Sequence, residues 1–205
     1  MIKAVIFDMD GVLIEAKDWH YEALNKALKL FGYEISRFEH LTTFDGLPTK
    51  KKLEILSVEK GLPIQLHSFI NEMKQIYTTE IVHSKCKPRF NHEYALSNLK
   101  KMGMKLGVAS NSIRATIDLM MQKSCLERYL DITLSNEDVK NAKPSAEIYL
   151  KAIKLTGFLP HEVLIVEDNE NGIKAAKGSG ANLMIVNNVE EVNLENIIKN
   201  INNTI

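Results

Sequence analysis

The chain has 205 residues, and its 26 basic side chains balance its 26 acidic ones. That length suffices for one large core, or one core with a smaller appended domain. The balanced charge gives no global field to draw in nucleic acid or an anionic membrane. Cys86 and Cys125 stand far apart, without metal-ligand spacing, as expected for reduced thiols in a cytoplasmic protein. No apolar run approaches membrane-spanning length and no signal pattern opens the chain, so neither spanning nor export is expected.

The apolar run Ala4 to Phe7 predicts a strand buried on both faces. It ends in Asp8-Met9-Asp10-Gly11-Val12. Residues i and i+2 on a strand point the same way, so Asp8 and Asp10 can face one pocket if the strand persists. Neighbouring carboxylates repel, and are tolerated when a cation lies between them or one keeps its proton. Either state suits a nucleophile beside a general acid. A solvated strand-to-loop turn has the same composition.

Asp18 to Phe31 predicts a helix, with Leu24, Ala27, Leu28 and Phe31 on one face, Asp18 as N-cap and Gly32 as its stop. Residues 33–47 read as irregular. Pro48 opens a second helix carrying Leu53 and Leu56 and stopping at Gly61; Pro63 opens a third with an apolar stripe of Leu66, Phe69, Ile70, Met73 and Tyr77. After Lys87-Pro88 the pattern changes. Predicted helices (94–102, 113–125, 146–156, 172–177 and 194–201) alternate with predicted strands (105–109, 132–134, 163–166 and 183–186). Such alternation predicts an α/β fold, a doubly wound parallel sheet, with the helical block inserted after the first strand. The expected division is a core of residues 1–15 and 83–205 and a helical cap of residues 16–82.

In open α/β sheets the ligand lies beyond the C-terminal ends of the strands. Four groups fall at or just beyond such ends: Asp8 and Asp10, Ser110 and Asn111, Lys143, and Glu167 with Asp168. Each has a plainer explanation. Ser110-Asn111 can cap the next helix, Lys143 can be a solvated loop lysine, and acids are favoured at a helix N-terminus. Parallel strands bring all four to one rim, where together they match the needs of a phosphoryl group with a hard divalent cation.

These residues resemble the haloacid dehalogenase superfamily, specifically its beta-phosphoglucomutase-like phosphatase branch with a helical cap. The matching motifs are Asp8-Met9-Asp10-Gly11-Val12, Ser110-Asn111, Lys143-Pro144 and the stretch from Glu167-Asp168-Asn169 to Ala176, in that order. The resemblance implies that Asp8 is the nucleophile, forming an aspartyl-phosphate. Asp10 is then the general acid and later the base, and its pKa is expected to be raised. Mg²⁺ is expected on Asp8, the Asp10 carbonyl and Asp168, with Glu167 acting through a metal-bound water. Ser110, the Asn111 N–H and Lys143 would hold the transferring oxygens. The superfamily's dehalogenases lack the second acid, so Asp10 argues against dehalogenation. The expected partner is a small phosphorylated metabolite, by default a sugar phosphate, and the expected state is monomeric.

The cap is expected to set the substrate. His20 on its first helix sits where relatives also carry a histidine, and the loop 44–49, with Gly46 and Thr49 as candidate substrate contacts, matches the family's substrate-specificity loop around Gly46. Asp45 and Thr49 replace a lysine and an arginine of the mutase, and Glu15-Ala16 replaces its Asp-Thr hinge pair. A distal phosphate needs cationic partners, so a phosphatase is favoured over a mutase. Lys50, Lys51 and Lys52 could substitute, although such a run is commonly a solvated helix face. A Schiff-base lysine, as in a phosphonate-cleaving branch, ranks lower because the sequence gives no sign of a buried lysine of lowered pKa. A non-catalytic phospho-acceptor of the receiver type is disfavoured by the Asp-x-Asp spacing and by the helical insertion.

Overall fold

In the computed structural model, which describes residues 1–203, Ala4–Phe7 forms strand β1 with all four side chains buried. Val5 and Phe7 enter one core while Ala4 and Ile6 enter another, because alternate strand residues point to opposite faces. The unbroken apolar run thus serves both faces of a central strand. Four parallel strands join it: β2 (Lys105–Ala109), β3 (Ile132–Leu134), β4 (Val163–Glu167) and β5 (Asn182–Ile185), in the order β3-β2-β1-β4-β5. The order reverses at β1, and β1 and β4 are direct neighbours.

Between β1 and β2 lie α1 (Lys17–Leu28), the short α2 (Arg37–Glu39), α3 (Thr49–Lys60) and α4 (His67–Lys85). Leu24, Leu28, Ile35, Phe44, Leu53, Leu56 and Ile70 give these helices a core of their own. The later helices cover the sheet. On one face α5 (Phe90–Lys101) and α6 (Arg114–Lys123) pack through Leu96, Leu99, Ile117 and Met120, joined by Ile197 and Ile201 of α9 (Leu194–Asn203). On the other, α7 (Glu147–Thr156) and α8 (Glu170–Ser179) contribute Ile148, Tyr149, Ala152, Ala175 and Ala176. The sheet is doubly wound, as the alternation predicts.

Three local expectations are corrected. Asp18 does not cap α1; Ala16 holds that position, and Asp18 lies in the first turn, 2.8 Å from Arg37. Residues 33–47 are not wholly irregular: Ser36 opens α2 with a capping box, and a π-turn follows over His40–Phe44. The buried stripe of α4 is Ile70, Lys74, Thr78 and Val82, an i, i+4 row, whereas Phe69 is half exposed. A lysine within that row is the first sign of chemistry in the helical block.

Gly107 shows how tightly the sheet is packed. It pairs with Ile6 and Ile132 on its two sides. A Cβ there would lie 2.9 Å from Ile6 Cδ1, 3.1 Å from Ile132 Cβ and 3.2 Å from the Ile132 carbonyl oxygen. Gly107→Ala is expected to cost about 1–3 kcal/mol by overpacking. Urea denaturation should show a lower midpoint at unchanged slope; an unchanged midpoint would mean that the sheet yields there.

Candidate active site

Asp8 follows β1 directly, and its N–H donates to the Val166 carbonyl at 2.9 Å. The β1–β4 register therefore sets Asp8 beside Glu167, the last residue of β4. Lys143 lies between them, 3 % exposed. Its ammonium has four acceptors within reach of its three N–H groups: Asp8 Oδ1 and Glu167 Oε1 at 2.7 Å each, and the Ala109 carbonyl and Tyr149 Oη at 2.8 Å each. The Tyr149 hydroxyl donates onward to Glu167 Oε1. Burial pulls the Lys143 ammonium toward neutrality, but Asp8 and Glu167 outweigh it and hold its pKa above the ordinary lysine value. Lys143 is no solvated loop lysine. Its protons are already committed to the carboxylates and the β2 end.

Burial, opposed by Lys143 and reinforced by Glu167, Asp168 and Asp10, pushes the Asp8 carboxyl well above its usual range. Oxygens of Asp8, Glu167 and Asp168 all lie within 4.8 Å of one another. Such a cluster suits a hard divalent cation, which would supply the charge that keeps Asp8 ionised. Two glycines make room for it. A Cβ on Gly11, whose φ is +88°, would come within 2.1 Å of Asp168 Oδ2, and one on Gly172 within 1.9 Å of Glu167 Oε1. Lys17, at the start of α1, also reaches this cluster: its ammonium is 2.6 Å from Asp168 Oδ2 and 3.6 Å from Asp45 Oδ2. It joins the helical block to the acid end of β4.

Asp10 is held separately. Its Oδ2 accepts from His20 Nε2 and from Ser112 Oγ, both at 3.1 Å, while its buried Oδ1 has no partner. Lys74 donates to His20 Nδ1 at 3.3 Å. A neutral His20 with its proton on Nε2 satisfies both contacts. The expectation of a raised Asp10 pKa is corrected. Burial pushes it up, but His20, Lys74 and the Ser112 hydroxyl together hold it below the ordinary carboxylate value. The Asp10 carboxyl therefore favours its ionised form in this cleft, and a further negative charge beside it would favour the protonated one.

The remaining predicted residues line the same cleft of about 210 Å³, which Asp8, Asp10, His20, Gly46, Thr49, Ser110, Asn111 and Lys143 share. Ser110 is buried, its Oγ accepting from the Ser112 N–H. The Asn111 side chain ties the halves of the cleft together. Its Nδ2 donates to the carbonyls of Gly46 and Lys143, at 2.9 and 3.2 Å, and its Oδ1 accepts from the Lys143 N–H. Glu167 and Asp168 lie beneath the cleft floor, with side chains almost wholly buried.

Three participants escaped sequence reasoning, Tyr149, Ser112 and Lys74, whereas Lys52 belongs to the lysine run already weighed as a substitute cation. Lys74 was detectable as the charged member of an apolar i, i+4 row. Lys52 differs from its exposed neighbours Lys50 and Lys51 in being buried. Burial, partly offset by Asp45 and Asp10, lowers Lys52 to about 8; burial together with Lys52 lowers Lys74 to about 7. The objection that no buried lysine of lowered pKa exists is thus removed.

A lysine whose folded pKa lies below its ordinary 10.5 binds fewer protons folded than unfolded. Its penalty is full below the folded pKa and fades as pH rises toward the unfolded value. Lys52→Met is therefore expected to stabilise the protein at pH 7, by an amount on the order of 2 kcal/mol, and to lose that advantage between about pH 8 and pH 10. Urea denaturation at intervals over that range checks it; a pH-independent difference would show that Lys52 is not desolvated. Gly172→Ala is expected to dislodge Glu167 and lower turnover at least about tenfold, as misplacement of an active-site group does.

The chain matches the family model for haloacid dehalogenase-like hydrolases over residues 5–186. It is 29 % identical over 182 residues to a phosphorylated carbohydrates phosphatase of Thermotoga maritima, covering 87 % of this chain and 82 % of that protein. It is 28 % identical over 179 residues to a phosphoglycolate phosphatase of Aquifex aeolicus, again covering 87 % and 82 %. Its fold overlays that of a beta-phosphoglucomutase from Clostridium difficile with a TM-score of 0.86 at 21 % identity, over 99 % of this chain and 98 % of that one. With the motif residues gathered at one strand-end rim and this match over most of its length, the chain belongs to the haloacid dehalogenase-like hydrolase family.

Proposed function

We propose that the protein is a Mg²⁺-dependent phosphatase that hydrolyses a small phosphorylated metabolite through an aspartyl-phosphate on Asp8. The observation that carries this is the buried Lys143 ammonium fixing one oxygen of Asp8, with a His20-oriented carboxylate, Asp10, in the same cleft. Two of the relatives are named as phosphatases of phosphorylated carbohydrates and of phosphoglycolate, which supports the reaction class. The helical segment 16–82 acts in this proposal as a cap over a core of residues 1–15 and 83–205.

The free oxygen of Asp8 attacks phosphorus, and the bond to the leaving oxygen breaks as Asp10 gives it a proton. Water then attacks the same phosphorus, losing its proton to Asp10. Inorganic phosphate departs and the Asp8 carboxylate is restored. Asp8 and Asp168, with Glu167 behind them, would hold the Mg²⁺ of this proposal, which when bound would offset negative charge on the phosphoryl oxygens. Ser110 and the Asn111 N–H hold those oxygens, while Lys143 keeps Asp8 in place. The dianionic phosphoryl group raises the Asp10 pKa on arrival, so substrate binding itself loads the acid.

At the two positions that distinguish the mutase, Asp45 faces Lys17 and Thr49 carries no charge, which favours the phosphatase; Lys52, buried in the same cleft, is the cation left to meet a second phosphate. Asp8→Asn is expected to reduce Mg²⁺-dependent phosphate release below about 10⁻³ of the native rate, since a carboxamide is a poor nucleophile. Asp10→Asn is expected to lose about 10²–10⁴-fold in turnover while keeping the native melting temperature within a few degrees. Release of phosphate by Asp8→Asn at near-native rate would refute the nucleophile. Conversion of a sugar 1-phosphate to its 6-phosphate without net phosphate release would instead establish a mutase.

A further inference from the structure

The cleft wall formed by the helical segment carries Lys52 and His40, which the chemistry above does not use, beside Lys74, which it uses only to support His20 and Asp10. Lys52 and Lys74 are each 7 % exposed and line the cleft. The Lys52 side chain has no hydrogen bond or ion pair among the described residues, and Lys74 reaches only the ring of His20. His40, 1 % exposed, lines the same wall, and neither of its ring nitrogens has a side-chain partner. Buried lysines are rare unless paired, because an ammonium removed from water is costly. Nothing in the helical core requires two of them. A group that is buried, unpartnered and turned into a ligand cleft is explained if the ligand supplies the partner.

We propose that Lys52, Lys74 and His40 form a second anion subsite, and that the substrate carries, beside its scissile phosphoryl group, a second anionic group, a carboxylate or a further phosphate. This rests on the phosphatase assignment, and it narrows the substrate class from any phosphoryl compound to one with a second anionic group, termed dianionic below for its two charged groups. Only the His20 ring separates Lys74 from Asp10. The second charge therefore lies close to the leaving oxygen, on a short spacer. The cleft volume of about 210 Å³ suits a molecule of that size. Binding would also relieve the two lysines: an anion between them favours their charged forms, which burial alone disfavours.

The test compares 2-phosphoglycolate (second charge a carboxylate) and pyrophosphate (second charge a phosphate) with 2-hydroxyethyl phosphate, which carries no second charge. Each is assayed with Mg²⁺ on the full chain, on Lys52→Gln and on Lys52→Arg. Removing a charge-assisted hydrogen bond from a buried site lowers affinity roughly 10- to 100-fold. Lys52→Gln should therefore raise KM for at least one dianionic probe about tenfold or more over its effect on 2-hydroxyethyl phosphate. Lys52→Arg should retain most of the preference. The probe that suffers more shows whether the second group is carboxylate or phosphate.

The same probes titrated calorimetrically into Asp8→Asn and into Asp8→Asn/Lys52→Gln read binding without turnover. If none of the three is hydrolysed but the dianionic ones bind through Lys52, the subsite stands and the phosphatase assignment falls. An equal KM change for all three probes, or tighter binding of 2-hydroxyethyl phosphate than of either dianion, would overturn the subsite. So would borohydride trapping of Lys52 on an aldehyde-bearing phosphonate, which would make it an imine-forming amine instead.

Discussion

The structure depends on one buried ammonium. Lys143 sits where β1, β2 and β4 end, and it joins all three through Asp8, the Ala109 carbonyl and Glu167. A lysine at this depth is tolerated only because two carboxylates answer it, and those carboxylates are tolerated only because the lysine is there. Removing the lysine leaves two buried carboxylates uncompensated, a loss typically of about 3–5 kcal/mol. The cluster therefore specifies the strand ends as firmly as the apolar cores specify the strands. It also leaves the Asp8 carboxylate little freedom to move, which is the preorganisation that the proposed nucleophilic attack requires.

Charge is unevenly divided across the cleft. On the core side, the carboxylates of Asp8, Glu167 and Asp168 face the ammonium groups of Lys143 and Lys17, so negative charge is in excess and a cation is favoured. On the helical side, Lys52 and Lys74 form no ion pair at contact distance among the described residues, and Asp45 and Asp10 act on them only at longer range, so an added anion is favoured. A metal ion together with an anionic substrate settles both imbalances at once. Asp10 lies at the boundary, oriented by His20 from α1 and by Ser112 from beyond β2. Its protonation is therefore coupled to whatever occupies the cleft.

The sheet was legible because period and punctuation agreed. Short apolar runs ended in Asp8, Ser110 and Glu167, and glycines closed the helices at Gly32, Gly61, Gly157 and Gly180. The strand-end residues could be named because a parallel sheet gathers such ends by topology alone. The helical wall was less legible. Lys52 stands in a run of three lysines, and composition does not reveal that the third turns inward while the first two face water. Lys74 was hidden because the stripe of Leu66, Phe69, Ile70, Met73 and Tyr77 counted apolar residues alone, whereas the buried row runs along Ile70, Lys74, Thr78 and Val82. The direction of the Asp10 shift was missed for a related reason: its partners arrive from α1, α4 and the segment after β2, and no local pattern foretells three-way convergence.

The most direct test of the account is chemical capture of the intermediate. The protein would be mixed with Mg²⁺ and a turned-over phosphomonoester, quenched in acid within the first turnovers and reduced with borohydride, which converts an acyl phosphate to an alcohol. Peptide mass spectrometry would then locate the reduced residue. The account predicts homoserine in place of Asp8, in an amount that follows the substrate and disappears when it is exhausted. Phosphate release with no modification at Asp8, or with the modified residue at Asp10 or Asp168, would contradict it.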